Sequence, residues 1–90
     1  MSAHPEETRL DGNAVAGLMA ELFGREMTLA PGVCGSCGDR ALLAEQHVYG
    51  RSPGTVVRCR ACTAVLVRVV EAPGRTWLDL RGLATLEIRH

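Results

Sequence analysis

The first third of the chain carries a helical pattern of apolar residues. Six of them recur on one helix face: Ala14, Val15, Leu18, Met19, Leu22 and Phe23. Asp11 precedes this run and suits an N-cap, and Gly24 follows it and suits a left-handed C-cap. The pattern predicts a helix over about residues 11–24. Residues 1–10 are polar and show no period, so we expect a flexible N-terminus.

Segments with the composition or alternation of β-strands follow the helix. They cover residues 41–49, 55–58, 64–71 and 76–81, and a last strand is indicated by Ala84, Leu86 and Ile88. Turn residues separate them, at 50–54 and at Pro73-Gly74. Residues 64–71 are almost all Val and Leu, which is typical of a central strand covered on both faces. The order predicts an α+β fold: one N-terminal helix and then one small antiparallel sheet, in a single domain over residues 11–90.

The predicted helix has two interpretations. In the first it packs on the sheet, because an isolated helix of about 13 residues does not persist in water. That packing would bury four large side chains: Val15, Leu18, Leu22 and Phe23. In the second, a ridge of small residues receives a partner and the helix is an interaction arm: Gly12, Ala16 and Ala20. We favour the first interpretation.

Composition limits what the core and the surface can do. The chain has 90 residues and only three aromatics, so its core relies on Leu, Val and Ala, and a domain this small often adds a metal or disulfides. Ten arginines balance ten acids, and a net charge of zero gives no general attraction to nucleic acid or to a membrane. No leader-like or membrane-spanning segment is visible, so we expect a cytoplasmic protein with reduced thiols.

Four cysteines carry the clearest chemical signal. Two Cys-x-x-Cys pairs stand 21 residues apart, and each pair can direct two thiolates at one ion. We therefore expect one zinc ion per chain, bound by Cys34, Cys37, Cys59 and Cys62. Four sulfurs leave no position for water or substrate, so the predicted site is structural.

Other interpretations of these residues stay open. Iron in a rubredoxin-like site also favours tetrahedral sulfur, and reversible disulfide chemistry is a third use, although the βαβ context it usually has is not readable here. His47 lies between the two pairs, but four sulfurs already saturate an ion, so we expect a surface or hydrogen-bonded histidine. Gly38, just after Cys37, suits the positive φ of a tight metal-binding turn.

The arginines raise the question of a partner. Arg51, Arg58, Arg60 and Arg68 lie in a stretch of 18 residues without an acid. They could contact phosphates, or they could form a solvated face in which two of them neutralise the thiolates. Sheets that bind nucleic acid usually carry aromatics for base stacking, and only Tyr49 is nearby. We therefore favour a protein partner over nucleic acid or a membrane. No nucleophile–base pair, phosphate loop or carboxylate dyad is readable, so we expect no enzymatic activity.

Particular motifs carry a resemblance. The second half of the chain resembles the zinc-ribbon superfamily, in which Cys34-Gly35-Ser36-Cys37-Gly38 looks like one zinc knuckle and Cys59-Arg60-Ala61-Cys62 like its partner. The whole chain is similar to a family of short bacterial zinc-ribbon proteins without assigned function, through Asp11-Gly12-Asn13-Ala14, His47-Val48-Tyr49, Val57-Arg58-Cys59 and Thr76-Trp77-Leu78-Asp79-Leu80.

This resemblance implies a zinc ribbon over about residues 27–90 and a non-enzymatic accessory or protein-interaction module. The alternative is a nucleic-acid-associated ribbon in transcription or translation. One departure from the knuckle pattern is Thr63, where a glycine is frequent. We expect Thr63 to strain the second turn slightly without preventing ligation.

Overall fold

The computed structural model describes residues 10–51 and 54–89 and has α+β architecture. Helix α1 (Ala16–Phe23) continues from a 3₁₀ turn at Gly12–Val15. The strands, in chain order, are β1 (Leu10–Asp11), β2 (Pro31–Cys34), β3 (Arg40–Leu42), β4 (His47–Arg51), β5 (Gly54–Arg58), β6 (Val65–Ala72), β7 (Arg75–Asp79) and β8 (Leu83–Leu86). The predicted flexibility of residues 1–10 lies outside the described residues except at Leu10, which begins β1. Ser52 and Pro53 of the predicted turn also lie outside them.

Both predicted helix caps are confirmed. The Asp11 carboxylate accepts the backbone N–H of Asn13 at 3.0 Å, and Gly24 ends α1 with a φ of 72° while its N–H donates to the Ala20 carbonyl. The first turn of the predicted helix is 3₁₀ instead of α. Gly12 begins this turn and packs tightly against the backbone of another segment, because a Cβ there would lie 1.7 Å from the Leu43 carbonyl oxygen.

The helix packs on the core, in agreement with the favoured interpretation. Val15 is buried, and Leu18, Leu22 and Phe23 are half-buried against the core. The most buried side chain of α1 is Met19, with 1% of its surface exposed. The small-residue ridge is partly used inside the chain, since Gly12 is the residue that contacts the Leu43 backbone.

The strands form two antiparallel sheets, where the sequence predicts one. The larger sheet has the order β1-β4-β5-β6-β7, and the smaller has the order β3-β2-β8. The predicted strand 41–49 is interrupted by a 3₁₀ turn at Leu43–Glu45, which sends β3 and β4 into different sheets. The Glu45 side chain fixes this interruption by accepting the Leu42 N–H at 2.8 Å. Strand β2 was not predicted, and it is the centre of the smaller sheet.

The two faces of the larger sheet differ in burial. Directly paired residues of antiparallel strands point to the same face, and the inner face carries four side chains that are at most 2% exposed: Val48, Val57, Val67 and Val69. The opposite face, called here the outer face, is half-buried or exposed. Its side chains include Asp11, His47, Tyr49, Val56, Arg58, Arg68, Val70, Arg75, Trp77 and Asp79. The prediction that residues 64–71 are covered on both faces is therefore wrong for one face.

Within residues 10–51 and 54–89, no helix combines the length and the apolar character needed to cross a membrane.

Candidate metal centre

Each pair of cysteines lies in a tight turn that joins two neighbouring strands of one sheet. The first knuckle, residues 34–39, connects β2 to β3 in the smaller sheet, and the second knuckle, residues 59–64, connects β5 to β6 in the larger sheet. The two turns face each other, so the four sulfurs meet between the sheets. Cys34 and Cys59 are part of the hydrophobic core, whereas Cys62 is half-buried and Cys37 is exposed.

The two knuckles have the same backbone hydrogen bonds. In the first, the Gly38 N–H donates to the Cys34 carbonyl at 3.0 Å, and the Cys34 N–H donates to the Asp39 carbonyl at 2.9 Å. In the second, the N–H of Thr63 donates to the Cys59 carbonyl at 2.9 Å, and the Cys59 N–H donates to the Ala64 carbonyl at 2.8 Å. Each turn therefore satisfies its own backbone groups while both cysteine side chains project from it.

Each knuckle needs one residue in the left-handed backbone region. Gly38 has a φ of 81°, as predicted, and Thr63 occupies the equivalent position with a φ of 67°. Thr63 is the one non-glycine residue with positive φ among the described residues. This conformation costs a residue with a Cβ on the order of 1–2 kcal/mol, so the predicted strain at Thr63 is confirmed.

The spacing of the sulfurs fits a single tetrahedral ion. The Sγ atoms of Cys34 and Cys62 are 3.7 Å apart, as are those of Cys37 and Cys59, and all four lie within 4.8 Å of one another. A tetrahedron with metal–sulfur bonds of about 2.3 Å has edges of about 3.8 Å. A disulfide would require about 2.05 Å between sulfurs, so these cysteines are free thiols arranged so that they can hold one metal ion.

Backbone N–H groups point at the sulfurs. Cys34 Sγ receives those of Ser36 and Cys37 at 3.4 and 3.5 Å, and Cys59 Sγ receives that of Ala61 at 3.3 Å. The Cys37 N–H, more than the other contacts, lowers the pKa of the Cys34 thiol to about 7, against the opposing effect of burial. The dipoles of these N–H groups thus favour the thiolate form, which is the form that binds a metal.

The neighbouring sulfurs oppose further ionisation. The Asp39 N–H acts to lower the pKa of Cys37, but burial and the three other sulfurs raise it to about 12. Four thiolates within 4.8 Å of one another repel unless a cation lies between them. The donor set therefore suits a cation that can neutralise several thiolates at once.

Arg60 connects the two knuckles outside the sulfur cluster. It belongs to the second knuckle, and its guanidinium donates to the carboxylates of Asp39 in the first knuckle, at 3.0 Å, and of Glu45, at 3.3 Å. Its backbone N–H donates to the side-chain oxygen of Gln46 at 2.9 Å, and Gln46 is only 2% exposed. No sequence pattern signals this contact, because Arg60 and Asp39 are 21 positions apart and lie in turns that join strands of different sheets.

Two of the four arginines that lie in a stretch without acids are close to carboxylates in the folded chain. Arg60 meets Asp39 and Glu45, and Arg68 lies opposite Asp79 across β6 and β7. Arg58 donates to the Thr63 carbonyl at 2.9 Å. The side chain of Arg51 lies outside the described residues.

His47 does not join the cysteines. Among the described residues, the group that could hold a metal ion consists of the four cysteines alone. His47 pairs with Arg58 on the outer face and is half-buried there, as expected for a histidine that is not a ligand.

Comparison with known proteins gives one match. The sequence profile of a family of unknown function, DUF6510, matches residues 4–90. No curated protein and no solved structure matches the chain. These comparisons assign no activity, so the function has to be argued from the geometry.

Proposed function

The chain belongs to the DUF6510 family of unknown function, and we propose that it is a non-enzymatic binding module built around one structural zinc ion. The ligands are Cys34, Cys37, Cys59 and Cys62. The observation that supports this proposal is the pair of 3.7 Å sulfur–sulfur distances, which matches the edge of a zinc–sulfur tetrahedron. The two knuckles have the same backbone hydrogen bonds and face one centre, which also favours classifying the fold as a zinc ribbon.

The zinc ion has a structural task in this fold, because it ties the two sheets together. The first knuckle supplies two ligands from the smaller sheet, and the second supplies two from the larger. Structural zinc binding contributes about 10–16 kcal/mol at neutral pH, which is comparable with the whole stability of a typical domain, about 5–15 kcal/mol. Metal binding and folding are therefore coupled in this proposal.

The closed ligand set makes the site non-catalytic. Catalytic zinc keeps a coordination position for water or substrate, whereas four thiolates fill the tetrahedron. The role of the chain is then to present a surface to another macromolecule, with zinc holding that surface in shape.

Metal analysis tests the proposal. The full chain, purified under reducing conditions, is weighed by native mass spectrometry and its metal content is measured. We expect one zinc per chain, and loss of that zinc to a chelator should raise amide hydrogen exchange in both sheets. A folded, reduced chain without metal would contradict the proposal, and one iron per chain with visible colour would replace zinc by the rubredoxin-like alternative.

A further inference from the structure

The register of the larger sheet brings two aromatic rings onto one surface. Tyr49 of β4 is paired with Val56, which is paired with Arg68, which is paired with Asp79 of β7. These four side chains form one row across the outer face. Trp77 lies in the next row, beside Val70. The two rings are therefore on the same face, three strands apart.

Each ring has an arginine above it. The guanidinium carbon of Arg58 lies 5.9 Å from the centre of the Tyr49 ring, and that of Arg75 lies 5.7 Å from the Trp77 ring. Arg68 stands between these two pairs and is exposed. Two arginines, Arg58 and Arg68, thus lie on the strands between the two rings, and Trp77 leaves 52% of its surface to solvent.

The carboxylates on this face already have partners. Asp79 accepts two hydrogen bonds from the Arg81 side chain at Oδ2, at 2.8 and 3.1 Å, and Asp11 caps the N–H of Asn13. The Arg81 side chain joins this face through its hydrogen bonds to Asp79. The face then holds four arginines (Arg58, Arg68, Arg75 and Arg81) and two carboxylates (Asp11 and Asp79), an excess of two positive charges. The net charge of the whole chain is zero, but the outer face of the larger sheet is positively charged.

We propose that the outer face binds single-stranded nucleic acid. Bases stack on Trp77 and Tyr49, and phosphates lie against Arg68 and Arg75. Sequence-tolerant binding of single strands combines aromatic stacking platforms with a positively charged track, and a sheet with two aromatics can stack two or three bases. The strand spacing places the rings about 16 Å apart, three strands across and two residues along, which is the scale of a few nucleotides.

Nucleic acid explains this surface better than an acidic protein does. The carboxylates of an acidic protein could pair with the arginines. Such a protein lacks the regularly spaced aromatic bases that would stack on Tyr49 and Trp77. The sequence favours a protein partner because only Tyr49 lies near the arginines along the chain. Trp77 is 28 positions further on, and the sheet register brings it onto the same face. The inference concerns a different surface from the metal centre.

Fluorescence measures the proposed stacking directly, because Trp77 is the only tryptophan in the chain. The zinc-loaded full chain is titrated with oligothymidine and oligouridine of about 12 nucleotides, at about 50 and 200 mM salt. We expect quenching of Trp77 by both single strands and weaker binding of a duplex of matched length. A preference for one of the two oligomers identifies DNA or RNA as the ligand.

Substitutions separate stacking from general charge, with labelled oligonucleotide and anisotropy as the readout. Trp77→Ala should weaken binding between about 5-fold and 150-fold, and Trp77→Phe should retain most of it. Arg68→Ala should lower the salt slope by about 0.7. The matched control is Arg40→Ala, since Arg40 is an exposed arginine on the smaller sheet, and it should leave binding unchanged. Zinc content is measured for each variant, so loss of the metal centre is recognised separately.

Three results would overturn the proposal. One is the absence of binding to either oligonucleotide at the lower salt concentration. Another is an equal loss of affinity in Arg40→Ala and Arg68→Ala, which would indicate a general charge effect. The third is binding of polyglutamate, but not of oligonucleotide, that Trp77→Ala and Arg68→Ala abolish, which would assign the face to an acidic protein.

Discussion

The two knuckles reach the same backbone geometry from different sequences. Both have two matching hydrogen bonds and one residue with positive φ, but that residue is Gly38 in the first and Thr63 in the second. Glycine takes this conformation without strain, whereas threonine does not. The second knuckle has compensating contacts, since the Thr63 carbonyl accepts a hydrogen bond from Arg58 and the Thr63 hydroxyl donates to the Cys62 carbonyl at 2.5 Å.

This difference shows what a metal turn requires. The turn needs a left-handed residue, and a glycine is only the simplest way to provide one. The first knuckle satisfies the requirement with a glycine, while the second is supported by its own Thr63 hydroxyl and by Arg58 of the strand that precedes it. We infer that the second knuckle depends more on the surrounding fold, and substitutions can test this.

Removing a ligand from either knuckle should have the largest effect. Cys34→Ser and Cys59→Ser change the equivalent buried residue of each turn, and each leaves three sulfurs for the ion. We expect both variants to lose zinc and to unfold much of the domain, because binding and folding are coupled. Native mass spectrometry and amide hydrogen exchange measure the two effects. Retention of zinc and fold by one variant alone would show that the knuckles are not equivalent. Trp77 fluorescence is a poor probe here, since that side chain is half exposed.

Gly38→Thr places the residue of the second knuckle in the first. Nothing lies within 4 Å of the added Cβ, so we expect the effect to come from the positive φ. We expect a loss of about 1–2 kcal/mol in the free energy of unfolding, measured on the zinc-loaded chain. Gly50→Thr is the matched control, because Gly50 lies in β4 and its Cβ would meet only ordinary contacts. Equal stability of Gly38→Thr and the unchanged chain would contradict the claim that a positive φ strains a threonine in these turns.

Thr63→Gly is the reverse exchange and should have a smaller effect of opposite sign. It relieves the strain at φ 67° but also removes the hydroxyl that donates to the Cys62 carbonyl. We expect stabilisation of at most about 1 kcal/mol. In the double variant with Gly38→Thr, a deviation from additive free energies would measure how strongly the shared ion couples the two turns. Destabilisation by Thr63→Gly would mean that the hydroxyl contributes more than the strain costs.

Arg60→Ala should have the smallest effect, on the kinetics of the metal centre. The substitution removes the side-chain link between the second knuckle and Asp39 of the first. We expect zinc release to a chromogenic chelator to accelerate by less than about tenfold, because the Arg60 guanidinium donates to carboxylates and not to a cysteine sulfur. Arg40 directly follows the first knuckle, and Arg40→Ala removes a comparable exposed ion pair, with Glu87, that does not join the two knuckles. Equal release rates in both variants would show that Arg60 does not couple the turns.

The features that were predictable from the sequence are local. Asp11 and Gly24 mark the helix ends, Gly38 and Thr63 mark the left-handed positions, and the cysteine spacing indicates one shared site. Each depends on residues close in sequence, for which side-chain chemistry fixes the backbone. The helix face was also readable, although Met19 is the residue at its centre.

The features that were missed depend on pairing across the chain. The turn at Leu43–Glu45 divides one predicted strand between two sheets, and the residues themselves resemble a continuous strand. β2 is short and pairs with β8, whose residues lie about fifty positions later. The contact between Arg60 and Asp39 and the shared face of Tyr49 and Trp77 both arise from register, which a single local pattern does not encode.

The pairing of β2 with β8 has a consequence for folding order. β2 lies between β3 and β8, so the smaller sheet is complete only when the end of the chain has returned to the first knuckle. Closing such a long loop is entropically costly and slows folding. Both knuckles join strands that are neighbours in sequence, but the second knuckle lies in the larger sheet, which does not include β8. We expect the second knuckle to form first and its two thiolates to bind the metal ion. The first knuckle would then add its two thiolates to the same ion when β8 pairs with β2. Pulse-labelling hydrogen exchange during refolding would show β5 and β6 protected before β2 and β8 if this order is correct.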